Sequence, residues 1–229
     1  MSREPTRRER RFKRKAYAQF SAWADTYDRH WLNHFLFEPS HALLLKELRE
    51  VPPGCALDIG CGTGEFAARL ADRGWIVFAL DLCEPMVRQA RAKVATVELE
   101  GAVSVTVGDS EHLPFASGSL DVVTCANSFH HYPHQAKVVC EMRRVLRPGG
   151  RLLLLDGWPD QFIGRILYDF IITRVEGGSV WHRESHHIRA MFKDAGFCNV
   201  RQRRTYSLFP ILLTIGVVPA EEAPIAGQG

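Results

Sequence analysis

At 229 residues, 46% hydrophobic and 24% charged, the chain has the composition of a single globular domain, and no apolar run approaches the roughly 18 residues of a membrane span. Its net charge of +3 is uneven, because the first fifteen residues, MSREPTRRERRFKRK, carry +6 and leave −3 for the rest. Any basic partner surface is therefore confined to a leader, which suits nucleic acid or anionic lipid, although a solvated leader on a helix is the commoner reading of such a run. The amino terminus has no secretory apolar core, so a cytoplasmic location is expected. Cys55, Cys61, Cys83, Cys125, Cys140 and Cys198 form no CxxC pair, which argues against a metal or disulfide framework.

In chain order, Ala16, Phe20, Trp23, Ala24, Tyr27 and Trp31 recur at three or four, predicting an amphipathic helix with an aromatic face from Lys15 to Trp31. SHALLLKELRE predicts a second helix, ended by Pro52, Pro53 and Gly54. Strands and helices then alternate: CALDIG, a helix on Phe66, Ala67, Leu70 and Ala71, WIVFALD, a helix opened by Pro85, and AVSVTV. After a loop with Pro114 and Gly118 come LDVVTCA, a helix on Val138, Val139, Met142, Val145 and Leu146, a stop at PGG, and RLLLLD. Strands apolar nearly throughout need cover on both faces, which crossover helices provide. The last two strands, FCNVRQRRTYSLF and PILLTIGVV, have only a turn between them and read as an antiparallel hairpin at one side of the sheet. The expected fold is α/β, doubly wound and Rossmann-like, with a mostly parallel seven-stranded sheet and an N-terminal helical cover. Residues 1–15 are expected as a flexible basic leader and 16–218 as one domain, with a helical cap over 16–54 and a lid-like insert over 158–187. Residues 219–229 are expected to be disordered.

The stretch LDIGCGTGEF lies where the first strand turns into its helix, the place where open parallel sheets bind ligands. Glycine there allows close approach to the main chain, and the helix start offers free N–H groups. A dinucleotide site needs G-x-G-x-x-G, but Glu65 occupies the third glycine position. Asp81 closes the second strand 21 residues after Gly60, placed to accept both hydroxyls of a ribose. A carboxylate ending an apolar strand is costly unless something pairs with it. The combination points to an adenosine-type ligand.

With LDIGCGTG, FALDLCEPMVRQAR, VGDSEHLPFASGSLDVVTCANSFHH and MRRVLRPGGRLLLLD in order, the chain resembles the class I S-adenosylmethionine-dependent methyltransferases, in particular the ubiquinone and menaquinone biosynthesis group. The resemblance covers about residues 16–218. It implies that Gly60, Cys61, Gly62 and Gly64 hold the methionine part of S-adenosyl-L-methionine, with Asp58 steering the ammonium. It gives Asp81 the ribose, flanks the adenine with Leu82 and Met86, and reads the adenine edge with Asp109 and Ser110. Asn127, Ser128 and His131 fall beside the sulfonium, and Tyr27 closes over the methionine carboxylate. Structural readings stand beside these: Asp58 as a cap of the glycine turn, Met86 as helix core, Tyr27 as part of an aromatic stripe.

The implied reaction is O- or C-methylation of a small hydrophobic organic acceptor. The N-terminal aromatic helix and Ile163, Ile166, Leu167, Phe170 and Ile171 of the insert would form an apolar lid over it. Acceptor deprotonation calls for a base near neutral pKa, for which His131 and His130 are the candidates, with His134 close by. The His131-Tyr132-Pro133 step also suits a helix start. His182 and His186, expected on one helix face, lack a third ligand, so no metal is expected. Two alternatives remain at this level: a nucleic-acid methyltransferase using the basic arm, although no N/D-P-P-Y/W element is present, and a non-catalytic S-adenosylmethionine-binding protein.

Overall fold

The computed structural model describes residues 6–29, 31–99, 101–160, 162–166, 180–205 and 210–220. Helix α1 (Arg7–Trp23), a 3-10 turn (Tyr27–Arg29) and helix α2 (Trp31–Leu48) precede the sheet. The sheet and its crossovers follow as β1 (Cys55–Ile59), α3 (Glu65–Ala71), β2 (Ile76–Asp81), α4 (Glu84–Thr96), β3 (Val103–Val107) and β4 (Leu120–Ala126). A 3-10 turn (Phe129–His131), α5 (Gln135–Val145), β5 (Leu146–Gly157), a single helical turn α6 (Phe162–Arg165), α7 (Ser185–Asp194), β6 (Cys198–Thr205) and β7 (Ile211–Val217) complete it.

Seven strands form one sheet in the order β3-β2-β1-β4-β5-β7-β6. The first five are parallel, while β7 runs antiparallel to both β5 and β6, the hairpin expected from the sequence. Alternate residues of each central strand face opposite layers. Leu57, Ile59, Leu152 and Leu154 pack with Val138, Met142, Ile188 and Phe192 of α5 and α7. Ala56, Val77, Leu153 and Leu155 pack with Leu44, Phe66, Leu70 and Val94 of α2, α3 and α4. Burial on both sides explains why these strands read as uninterrupted apolar runs.

Three boundaries differ from expectation. Helix α1 starts at Arg7, so most of the arginine-rich leader expected to be flexible is helical. The aromatic helix stops at Trp23 and the chain turns before α2, which runs through Pro39 and begins nine residues before SHALLLKELRE. Strand β5 starts at Leu146, ahead of PGG, because Leu146 pairs with Leu120 and the ladder shifts register before resuming at Arg151. Much of the lid-like insert, including Leu167, Phe170 and Ile171, lies outside the described residues, as does the tail from 221.

Candidate active site

The turn after β1 is built from main chain. Gly60 has φ +68°, and a Cβ there would lie 2.3 Å from Ser128 Oγ and 2.6 Å from Ser128 Cβ. Gly62 has φ +53°, and a Cβ there would meet nothing within 4 Å. The first glycine is thus demanded by packing and the second opens the turn toward a cleft. The Gly60 and Cys61 N–H groups donate to Leu80 O at 2.8 and 3.2 Å, tying the turn to the end of β2. Asp81 completes the tie: its carboxylate accepts from Gly62 N at 2.9 Å and from Cys83 N at 2.8 Å.

Burial dominates the electrostatics beneath this turn. Asp58 is buried and pushed up to about 7, chiefly by desolvation; the Thr124 hydroxyl, donating to Oδ1 at 2.8 Å, opposes the shift and the Asp81 charge adds to it. Asp81 is also raised by burial, against the stabilising main-chain donors Cys83 and Gly62. Burial drives the Cys61 thiol well above its ordinary value, so it remains a neutral packing group.

Two cavities flank the turn. Both are lined by Tyr27, Phe37, Gly60, Gly62, Ala126 and Asn127. The first adds Asp58, Glu38, His41 and Arg69. The second adds Asp81, Leu82, Met86, Asp109 and Ser110, and beyond them Phe20, His131 and Pro133. Tyr27 stacks on Phe37 with centroids 5.7 Å apart, and Asp28 beside it accepts from Thr63 Oγ1 at 2.6 Å, fastening the cover to the glycine turn. His41 lies between Phe37 and Phe66 and is pushed down to about 4 by desolvation, with Arg69 adding to the shift, so it is a neutral wall.

At the far end of the second cavity, Lys13 of α1 reaches Asp109 at 2.6 Å and Glu111 at 2.7 Å. Burial works against ionisation of both carboxylates, and the Lys13 ammonium outweighs it, holding each below its usual range. Leu82 is exposed and Met86 is buried in the base of α4, with Cys83 and Ala24. Ser128 shares hydrogen bonds with Tyr132 Oη at 2.9 Å and Ile59 O at 3.3 Å, so its hydroxyl braces the turn. Asn127 has φ +52°, and its buried Nδ2 has no hydrogen-bond partner among the described residues.

The histidines separate into two layers. His131 lines the second cavity, edge-on to Phe20 at 4.9 Å. His130 turns beneath it: its Nδ1 meets Asp156 Oδ1 at 2.6 Å, and its ring lies 4.2 Å from that of His131 and 4.4 Å from that of His182. Asp156 is fully buried, yet the His130 charge and hydrogen bond outweigh desolvation and keep it below its ordinary value. An ionised acceptor at this distance places the ring proton on Nδ1. His134 is apart, held by Glu111 at 2.9 Å. The expected helix face shared by His182 and His186 does not form, because His182 precedes α7, which begins at Ser185. Among the described residues, His130, Asp156 and His182 do bring three ligand-type atoms within 4.8 Å of one another.

Of the residues proposed for the cofactor, all but Gly64 line one or both of these cavities; Gly64 faces α4 instead, where a Cβ would lie 3.0 Å from Ala90 Cβ. Sequence reading passed over Asp28, Phe37, His41 and Asp156. Asp156 had the same signal as Asp81, a carboxylate closing an apolar strand.

A doubly wound sheet with a bare glycine turn after β1, a carboxylate closing β2 and an apolar cover defines a class I methyltransferase architecture. The "Methyltransferase domain" family matches residues 57–154. The chain is 30% identical over 214 residues to a demethylmenaquinone methyltransferase of Listeria welshimeri, spanning 82% of this chain and 89% of that protein. It is 32% identical over 152 residues to the 27-O-demethylrifamycin SV methyltransferase of Amycolatopsis mediterranei, spanning 60% of this chain and only 56% of that protein. A solved SAM-dependent methyltransferase of Thermotoga maritima superposes with TM-score 0.70 at 21% identity over 88% of this chain and 99% of that one, a likeness of fold. The chain belongs to the S-adenosylmethionine-dependent methyltransferases, and its cofactor is S-adenosylmethionine. The cleft suits that group: Gly62 leaves open space where a side chain would intrude, and the orphaned Asn127 amide offers a donor.

Proposed function

We propose that the chain methylates a hydroxyl or carbon of a small apolar acceptor held between α1 and the mouth of β4. The observation that carries this reading is the lining of the second cavity, where Tyr17, Phe20, Phe37, His131 and Pro133 continue from the groups assigned to the cofactor. The names of the two curated relatives, a quinone-type and a rifamycin methyltransferase, support a small-molecule acceptor.

When bound, S-adenosylmethionine supplies a sulfonium methyl for in-line displacement, so the protein need mostly align the acceptor and exclude water. In this reading Gly60, Cys61, Gly62 and Gly64 cradle the methionine end, Asp58 faces its ammonium and Tyr27 closes over its carboxylate. Asp81 uses the remaining lone pairs of its carboxylate for the ribose hydroxyls. Leu82 and Met86 flank the adenine, Asp109 and Ser110 read its edge, and Asn127 and Ser128 sit beside the transfer point. His131 takes the acceptor proton, because it borders the cavity. His130 acts one layer deeper, with Asp156 fixing its tautomer and stabilising positive charge in the pair of rings.

A radiolabelled methyl-transfer screen against quinols, phenols, fatty acids and RNA tests the proposal. Label in a small apolar acceptor, with turnover lost in His131→Gln while cofactor binding persists, is the expected result. Label in RNA alone would overturn it.

A further inference from the structure

Helix α1 sorts its charges by face. Arg7, Arg10, Arg11, Arg14 and Lys15 are all exposed, and they recur at three, four, seven and eight residues, which places them on one side of the helix. The opposite face carries Phe12, Lys13, Ala16 and Phe20 toward the protein: Phe12 stacks on Trp181 at 4.6 Å, and Lys13 is bound by Asp109 and Glu111. Among the described residues, none of the five outward cations has an acidic partner within ion-pair distance. Among the described residues, the helix is thus held by Phe12 and Lys13 on one face and presents five outward cations without an ion-pair partner on the other.

What lies next to that face identifies its occupant. Tyr17, one turn beyond the cationic row, and Leu82 across from it both line the second cavity, yet are 38% and 39% exposed. An apolar rim at a cavity mouth beside a row of cations is the pattern of a surface that meets phosphate headgroups with its charges and acyl chains with its rim. Nucleic acid would meet the same cations, but among the described rings of α1 Tyr17 alone is exposed to stack on a base. Phe12 and Phe20 are instead committed to Trp181 and to Trp23 and His131. A second copy of the same face would bring like charges together.

We propose that the outer face of α1 docks on an anionic lipid surface, setting the mouth of the second cavity at the bilayer interface. This goes beyond the acceptor reading and does not depend on turnover.

The test is partition of the full chain, without cofactor or acceptor, into sedimenting vesicles of phosphatidylcholine alone or with about a third phosphatidylglycerol, near physiological salt. Each basic residue near such a surface contributes about fivefold to partition. Reversing Arg10, Arg11 and Arg14 together to Glu should therefore lower it by at least about a hundredfold, with an unchanged far-ultraviolet dichroism spectrum. The Lys version of the same three positions should retain partition, because charge rather than guanidinium geometry is used. Should the Glu variant misfold, raising the salt on the unaltered chain must release it from anionic vesicles. Equal partition into neutral vesicles, no partition into anionic ones, or tighter retention by single-stranded RNA than by vesicles would overturn the proposal. Because vesicle binding is read without methyl transfer, its failure leaves the acceptor reading standing.

Discussion

The glycine turn and the helical cover face the same cleft, but they are built in opposite ways. Between Gly60 and Gly64 the surface is main chain, fixed by φ angles, by Leu80 O and by the Asp81 carboxylate. In the cover the surface is side chain, gathered from α1, the turn at Tyr27 and α2, and fastened by Lys13 to Asp109 and by Asp28 to Thr63. A main-chain surface allows little variation without losing the turn. A side-chain surface can change its lining one residue at a time, so cofactor identity should reside in the first and acceptor choice in the second.

The largest expected effect breaks the turn. Gly60→Ala forces a positive φ on alanine, costing about 1–2 kcal/mol, and drives its Cβ into Ser128. Calorimetry should show cofactor affinity reduced at least about a hundredfold together with a lower melting temperature. Gly62→Ala carries the same backbone penalty without the clash, so it should fold more stably than Gly60→Ala while still weakening the cofactor.

A pH titration sharpens the contrast next. The folded Asp58 carboxyl keeps its proton up to about 7, whereas its ordinary value is 3.8. The native state therefore binds more protons than the unfolded chain between those values, and the contribution of Asp58 to stability falls as pH rises through that window. An ammonium brought beside it favours the ionised form. Cofactor affinity should consequently weaken by up to about tenfold per pH unit below 7, and Asp58→Asn should flatten that dependence.

On the cover, Phe20→Ala should raise the acceptor KM about tenfold while leaving the cofactor dissociation constant within a factor of two or so, as measured by initial rates and calorimetry. The smallest change is expected for Lys13→Met. Its ammonium is partly solvated and bridges two carboxylates that have other donors, so cofactor affinity should move by less than about threefold.

The same division explains what the sequence made visible. The central strands could be read because both faces are covered and each is apolar nearly end to end. The turn could be read because glycine and a strand-closing aspartate are rare needs met at fixed spacing. The cover resisted such reading. The arginines of α1 read equally as a solvated face, because their helical period, opposite the aromatic stripe, carries no mark of a partner. Phe37 and His41 sit on an apolar helix whose sequence carries no mark of which residues meet the cleft. The layering of His130 under His131 was equally hidden, since neighbours in the chain diverge through a 3-10 turn and only the position of Asp156 on β5 decides which ring it takes.

The Asp81 carboxylate, bonded to Gly62 and Cys83, acts as a keystone between two adjoining strand ends. Its removal would leave two peptide amides in want of an acceptor, so any substitution at this position means rebuilding the loop as well. An inherited lineage could therefore exchange the wall residues freely while this one acid stayed pinned by the scaffold itself.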